Sequence, residues 1–555
     1  MVWGEKLKSL FPDSNLRGRI RMKLLLQPDG IREAIFDEDD DAVKSSLLTL
    51  LEPADSGDSA ELPAAGQAFP LFVQSARRNY LEWERSGKEF LEVKEDPFAN
   101  YSGAFLIWVR KCYVDLKNML VEEEAKELGQ RFILLGTAGI GKSFFTIFWV
   151  CYLATKKKRI VWKLDNGSCY LLDFSQDAVT EQGPVDTLNH PVLVQVVNDV
   201  DSWLIIDGGL KTGLQYKCNI LLACSAKKEN HHEFGKGGRV KFWYLPVWSE
   251  DEIKGFCDAF VEHKSEFSAM DVPGKDTALA NFKELGGVPR YVLHAGKMVQ
   301  GRAVLRHALD SVSAVNCLQV YAGLFNPELG DMLIHMFVDE KEYTGFKYDF
   351  ASSDVRHSIE QHLRRVGKVY VVNFLEQSIR SSTLGTMWGH MYELVAPAIL
   401  SRGGNFKRKR VSETGAEVHD TFQQKELKLV TFSTLQELTK LKDDYPSGAY
   451  CQPSSLNCES ADAVIVPDTL VQYFKYRKGN HGYKIHGLKE LDNALNLKNY
   501  SLWSCVPPES YEETKYQNWV TTKGTKYKCM TSEEQGLVEK LHQYVVEVDY
   551  RKYIE

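Results

Sequence analysis

The eight residues Gly136-Thr137-Ala138-Gly139-Ile140-Gly141-Lys142-Ser143 hold the spacing G-x-x-x-x-G-K-[ST]. Glycines at this spacing let a backbone curl around phosphate oxygens, so that successive N–H groups and the start of the next helix point at them. Lys142 would neutralise the β- and γ-phosphates of a nucleotide, and Ser143 would hold Mg²⁺. The apolar run Phe132–Leu135 precedes the glycines and a longer apolar run begins at Phe144, which is the strand, loop and helix context the motif requires. ATP, or GTP, with Mg²⁺ is the expected ligand.

A phosphate loop of this kind needs an acidic partner at the end of a neighbouring strand to orient the magnesium shell. Asp207, closing Ser202-Trp203-Leu204-Ile205-Ile206, fits that role. A glutamate commonly follows as the base that activates water, but here Gly208 and Gly209 follow. Either another carboxylate supplies the base, or hydrolysis is slow and the module acts as a switch. The next apolar run, Asn219–Cys224, ends at Ser225, which could sense a γ-phosphate or cap a turn. Lys227 and Lys228 follow it, as phosphate-facing or solvated lysines.

These residues must be carried by strands. Between 131 and 300, β-rich runs at 131–136, 159–164, 169–174, 202–207, 219–225 and 240–247 alternate with helical patterns, which predicts a parallel α/β sheet. Residues 1–70 read as a variable, partly disordered region containing the acidic run Asp37-Glu38-Asp39-Asp40-Asp41 and an Ala/Gly/Ser/Pro-rich linker. Residues 71–130 form a helical lead-in, with 101–128 read as helix. A helical extension is expected over 301–380, and a second α/β unit over 381–555 with a closing helix over 532–548.

The formal net charge of −7 argues against a chain that coats nucleic acid by bulk electrostatics, while leaving room for a local basic groove. Eleven scattered cysteines show no C-x-x-C pair and no zinc spacing, so they read as thiols of a reducing compartment. Apolar runs such as Phe144–Ala154 are far short of the roughly twenty residues of a membrane span. The first fifteen residues lack the apolar core of a secretory signal.

The order GTAGIGKS, LIIDGG, LLACSAKKENHHEF, LPVWSEDEI and ELGGVPRYVL resembles the NTPase module shared by Crinkler-type effectors and retrotransposon hot spot proteins. Gly286-Gly287-Val288-Pro289-Arg290-Tyr291 is its most distinctive string. The glycines permit a tight turn, Pro289 pre-sets the following helix, and Arg290 could reach the terminal phosphate. Further on, Trp388-Gly389-His390-Met391-Tyr392-Glu393 looks like the helix that opens the family's restriction-endonuclease-like domain. Tyr450-Cys451-Gln452-Pro453, Ala461-Asp462 and Leu470-Val471-Gln472 resemble its metal-binding strands.

What the resemblance implies for the C-terminal unit is a PD-(D/E)xK site with Glu393 and Asp462 as Mg²⁺ ligands, beside Gln472 and Lys475. Such a site polarises a scissile phosphate and lowers the pKa of a bound water. The spacing departs from that pattern, because Phe474 lies two residues beyond Gln472 and Lys475 lies three beyond. Side chains alternate along a strand, so Gln472 and Lys475 face opposite sides unless a bulge intervenes. Lys475, Arg477 and Lys478, interleaved with Tyr473 and Tyr476, could instead bind phosphates and stack bases.

The expected molecule is an α/β multidomain protein: a P-loop NTPase with a helical extension, then a restriction-endonuclease-like domain. Lys142, Asp207, Arg290, Glu393, Asp462, Gln472 and Lys475 are the candidate catalytic residues. The resemblance implies an ATPase that gates nucleic-acid engagement, with DNA the first expected partner and nuclear proteins a further one. It also implies a nuclear location, in a host if the chain is a secreted effector, and Lys407-Arg408-Lys409-Arg410 has the look of an import cluster. The first seventy residues do not clearly match the ubiquitin-like N-terminal module of the effector branch. The competing reading is a nucleotide-dependent binding switch with a degenerate nuclease domain.

Overall fold

A computed structural model of the chain describes residues 65–94, 104–127, 129–176, 180–185, 188, 191–210, 214–236, 239–264, 270–311, 332–454, 461–474, 482–496, 499–521, 525–527 and 530–554. Helix α1 (Ala65–Ser86) leads into strands β1 (Phe90–Val93) and β2 (Phe105–Trp108), then helix α2 (Lys111–Lys126). The helix expected across 101–128 is corrected here, because Phe105–Trp108 pairs antiparallel with β1 and the helix begins only at Lys111. Four apolar residues in a row have no period, so pattern alone does not separate a buried strand from a helical turn.

The phosphate-loop motif lies between β3 (Arg131–Gly136) and helix α3 (Lys142–Thr155). Strands β4 (Arg159–Lys163), β5 (Cys169–Asp173), β6 (Thr180–Val185), β7 (Trp203–Asp207), β8 (Asn219–Ser225) and β9 (Val240–Tyr244) complete a sheet of order β6-β5-β4-β7-β8-β3-β9. It is parallel from β4 to β9 and antiparallel where β5 and β6 extend its edge. All six runs read as strands from the sequence are strands. Phe132, Leu134, Trp203 and Ile205 face α3, while Ile133, Leu135, Leu204 and Ile206 fill the opposite core. Strands buried on both faces need apolar residues throughout. Helix α3 is buried from Phe145 to Ala154, as expected of a helix apolar on every side.

Helices α4 (Glu250–Phe260), α5 (Lys275–Leu285), α6 (Pro289–Val292) and α7 (Ala295–Ser311) follow. Ser249 and Glu252 form a capping box that fixes the start of α4. The all-helical expectation for 301–380 is also corrected: β10 (Ile334–Val338) and β11 (Phe346–Phe350) pair antiparallel before α8 (Ser353–Val366), α9 (Lys368–Ser378) and α10 (Gly385–Arg402).

The C-terminal unit is built from β12 (Gly404–Val411), β13 (Glu417–Gln424), β14 (Lys428–Phe432), α11 (Leu435–Asp444), β15 (Ala449–Pro453), β16 (Ala463–Val466), β17 (Thr469–Tyr473), β18 (Tyr483–Lys484), α12 (Ile485–Leu495), β19 (Tyr500–Val506), β20 (Trp519–Val520), α13 (Ser532–Glu539) and β21 (Leu541–Glu547). Its main sheet runs β13-β12-β21-β19-β17-β16-β15-β14, while β18 and β20 pair separately. Strands β16 and β17 form an antiparallel pair, and β17 runs parallel to β19 across helix α12. The closing helix expected over 532–548 ends at Glu539, and Leu541–Glu547 becomes a strand parallel to β19. Tyr544, Val545 and Val546 favour a pleated surface over a helix continuing past Lys540.

Two cores sandwich this sheet. Val471, Tyr473, Trp503 and Cys505 pack in a core that includes Val395 of α10, Leu375 of α9 and Leu285 of α5. Leu470, Phe474, Leu502 and Val506 face Leu438 of α11 and Leu488 of α12. A single apolar core therefore joins the end of α5, four residues before Pro289, to the sheet that carries Gln472.

Candidate functional site

The phosphate loop leaves the C-terminal end of β3 and turns at Gly139 (φ +81°) and Gly141 (φ +106°), both in the region that favours glycine. A side chain at Gly141 would strike the Tyr113 hydroxyl, which donates a 2.6 Å hydrogen bond to the Gly141 carbonyl. The Trp248 indole N–H donates to the Ile140 carbonyl at 3.1 Å. Ile140 and Thr137 are buried, so the loop is held from beneath by α2 and by the segment entering α4. The Lys142 ammonium donates to the Gly136 and Thr137 carbonyls at 2.9 and 2.8 Å.

Asp207 ends β7 level with Ala223 of β8, and β8 in turn places Ser225 level with Gly136. The Asp207 side chain is only 6% exposed. Burial pushes its carboxyl up to about 6, the Asp165 charge adds to the rise, and the Ser143 hydroxyl and the Lys142 charge act against it. The Ser143 hydroxyl therefore lies close enough to the Asp207 carboxylate to stabilise its charge, the pair needed beside a magnesium ion. The oxygen-rich chemistry of this donor set suits Mg²⁺. Ser225 accepts a 2.8 Å hydrogen bond from the Asn230 side chain.

Arg290 is exposed and its side chain lies against the loop. A Cβ at Gly139 would be 3.1 Å from the Arg290 Cβ and 3.2 Å from its Nε. The turn that delivers it needs its glycines: a side chain at Gly286 (φ +77°) would collide with the Ala351 carbonyl, and one at Gly287 with the Trp248 backbone. The Trp248 N–H also donates to the Gly287 carbonyl at 2.9 Å. Trp248 thus ties the glycine turn to the phosphate loop. The sequence brings Gly136–Ser143, Asp207, Ser225 and Arg290 to one end of the sheet. Tyr113, Trp248, Asp165 and Asn230 were not singled out as site residues. Trp248 and Asn230 had a signal, as residues of the strings LPVWSEDEI and LLACSAKKENHHEF.

In the C-terminal unit, β16 pairs Ala463 with Val471, and just before that strand the Asp462 N–H donates to the Val471 carbonyl at 2.8 Å, which places Asp462 at the end of β17 that carries Gln472. The Asp462 carboxylate accepts a 2.7 Å hydrogen bond from the Tyr473 N–H, and the Gln472 Oε1 is buried without a protein partner. An orphaned amide oxygen beside a carboxylate fits a small cation as far as two donors go. Among the described residues, no group of three or more His, Cys, Asp or Glu side chains is gathered to hold a metal ion. Lys475, Tyr476, Arg477 and Lys478 lie outside the described residues.

Glu393 is carried by α10, on the face lined by Val471 and Tyr473. The Arg356 guanidinium donates to it at 3.3 Å, and His390 Nδ1 lies 3.7 Å away. His390 also meets Asp349 at 3.2 Å. Burial alone would lower the His390 pKa, but the hydrogen bond to Asp349 and the nearby Glu393 carboxylate outweigh it and hold the imidazole above its ordinary value. Tyr473 is not the exposed stacking residue the basic and aromatic pattern suggested, since its ring is in the core with its hydroxyl against that of Tyr450. Phe474 is likewise buried, edge-on to Tyr483 at 5.8 Å.

The basic run 407–410 is part of β12, where three of its charges are paired with carboxylates and Arg410 meets the His542 ring at 3.1 Å. Arg408 pairs with Asp420 at 2.8 Å, Lys407 with Glu547 at 3.2 Å, and Lys409, fully buried, with Glu417 at 3.2 Å.

Among the described residues, no helix is long and apolar enough to cross a membrane. No protein-family model matches the chain. Solved structures that overlay on it include a DNA replication initiation factor (14% identity, TM-score 0.23, covering 52% of this chain and 84% of that one) and the Thermotoga maritima RuvB Holliday junction branch migration motor (11%, 0.24, 56% and 92%). The Aeropyrum pernix ORC2 protein gives 11% identity and a TM-score of 0.22, covering 57% and 89%. Overlays at these scores add nothing to the strand order seen directly. Crinkler effector proteins 15 and 16 of Phytophthora infestans are each 24% identical, over 326 and 327 residues, or 56% of this chain. The chain spans about half the length of these curated relatives, and over that half it is similar to Crinkler effectors.

Proposed function

We propose that this chain binds and hydrolyses ATP, or GTP, at the end of the parallel sheet, and that the bound nucleotide governs nucleic-acid engagement by the C-terminal unit. One observation carries the first part: Lys142, the Ser143–Asp207 pair and Arg290 converge on the glycine loop. In this reading the loop N–H groups and the α3 N-terminus hold the β-phosphate. Lys142 moves from the loop carbonyls to the β/γ oxygens, and Arg290 meets the γ-phosphate. Mg²⁺, when bound, would neutralise charge on the same oxygens through Ser143 and Asp207. The test is titration of the full chain with a fluorescent ATP analogue. Lys142→Ala is expected to weaken binding at least tenfold, and unchanged affinity would refute the reading.

For the C-terminal unit we propose a restriction-endonuclease-like fold, supported by the order α10, β15–β16–β17, α12, β19 and by the Asp462 carboxylate held at the Tyr473 N–H, next to Gln472 in the chain. Nicking of plasmid DNA with Mg²⁺, abolished in Asp462→Ala, would establish cleavage. The second reading, a binding domain without cleavage, is favoured by Phe474, whose buried ring stands where the motif calls for a lysine. A nuclear site of action is proposed from the resemblance alone, and imaging of a tagged chain tests it.

A further inference from the structure

The base missing after Asp207 has a stereochemical cause. Gly208 adopts φ +113°, and a side chain there would run into the Asp165 carboxylate. Its neighbour Gly209 is blocked as well, since a Cβ would lie 2.7 Å from the Asn230 Oδ1. A glutamate at 208 is therefore opposed by both backbone conformation and space, and one at 209 would have to push the Asn230 side chain from its hydrogen bond to Ser225. What fills the space beside Asp207 is another acid.

Asp165 reaches this place by register. Parallel strands β4 and β7 pair Lys163 with Ile206, so two residues further on Asp165 comes level with Gly208. It sits in the turn between β4 and β5, and that turn is closed without its carboxylate. The Gly167 N–H donates to the Leu164 carbonyl, the Leu164 N–H to the Ser168 carbonyl, and the Ser168 N–H to the Asn166 side chain. Asp165 is exposed, and among the described residues it has no ion pair or side-chain hydrogen bond. It stands at the C-terminal end of a parallel sheet, where ligands of open α/β folds bind.

We infer that Asp165 is the general base of nucleotide hydrolysis at this site, an assignment that rests on the nucleotide-hydrolysing reading above. Its carboxylate accepts a proton from the attacking water as the water oxygen bonds to the γ-phosphorus and the bond from the bridging β–γ oxygen to the γ-phosphorus breaks. The nucleoside diphosphate leaves with that electron pair, and the proton passes from Asp165 to solvent as phosphate departs. A base delivered from the neighbouring strand leaves Asp207 dedicated to the metal shell.

The experiment uses the full chain with Mg–ATP, measuring phosphate release and, separately, the affinity for a non-hydrolysable ATP analogue. Asp165→Asn is expected to lower turnover about 100-fold, the lower range for general-base catalysis, while analogue affinity stays within about threefold of the parent. Asp165→Glu should recover part of that rate, and thermal unfolding should match the parent for both variants. Turnover of Asp165→Asn within threefold of the parent would overturn the assignment. So would a parallel loss of analogue binding, which would make Asp165 a metal-shell or structural residue. A parent that binds the analogue without releasing phosphate would overturn it while leaving nucleotide binding intact. A parent that does not bind would remove the nucleotide reading itself.

Discussion

Asp207 combines near-complete burial with a carboxyl pushed up to about 6, because its one hydroxyl partner and the nearby lysine do not offset the loss of solvent. The sign of the consequence is fixed by linkage. A carboxyl whose folded pKa exceeds its unfolded value stabilises the fold in its protonated form, and that contribution disappears as pH rises from about 4 through 6. Asp207→Asn keeps the shape and removes the charge. In the absence of nucleotide and Mg²⁺ it should be more stable than the parent at pH 7.5, by roughly 2–3 kcal/mol. It should also lack the parent's fall in stability between pH 4 and 6. Denaturant melts across that range provide the check, and a parent curve no steeper than the variant's would refute it. At this scale the sequence was informative where a motif fixes both residue type and spacing, as at Lys142 and Ser143. It was silent on Asp165, whose placement depends on strand register, and it named Gln472 without revealing the orphaned Oε1, which depends on burial.

At the scale of elements, the glycine turn at 286–287 is the joint on which the nucleotide site depends. It passes between the backbones of Trp248 and Ala351, and Gly286 also faces the His335 ring, with a Cβ placed 2.6 Å from its Cε1. Gly286→Ala must move the Ala351 carbonyl or abandon its positive φ, and should cost about 3 kcal/mol in thermal or denaturant unfolding. Gly274→Ala, where the added methyl meets nothing within 4 Å, serves as the neutral comparison. Elements with an unmistakable period or a turn on each side were legible, including β3, β4, β5, β7, β8 and β9, whereas β6, with Gly183 and Pro184 inside it, was not read as a strand. Those missed had ambiguous patterns. Phe105–Trp108 is apolar throughout, and Leu541–Glu547 follows a true helix without a glycine or proline to mark the change. The β10–β11 pair was hidden because its partners are brought together by a turn inside a region otherwise helical.

Across the whole molecule, one apolar core connects α5, the β10–β11 pair, α8 to α10 and the sheet bearing Asp462 and Gln472. Arg290 lies in α6, one glycine turn beyond the end of α5, so a nucleotide that draws Arg290 toward its γ-phosphate would pull on an element buried against the C-terminal unit. Hydrogen exchange should therefore slow in 334–350 when Mg–ATP binds, and the slowing should vanish in Lys142→Ala. Equal exchange with and without nucleotide would uncouple the two ends. The His390 cluster lies on this route, with Asp349 from β11 and Glu393 and His390 from α10.

The hydrogen bonds from Lys142 to the Gly136 and Thr137 carbonyls have a kinetic meaning. Those two oxygens compete with any phosphate for the same ammonium, so the loop acts as its own reversible inhibitor. Giving up each charge-assisted bond forfeits about 1.5–3 kcal/mol before a phosphate returns it. On the proposed function, a lone phosphate ion, which cannot engage the loop, Arg290 and the Ser143–Asp207 pair together, would gain less from opening this latch than a triphosphate that spans all three.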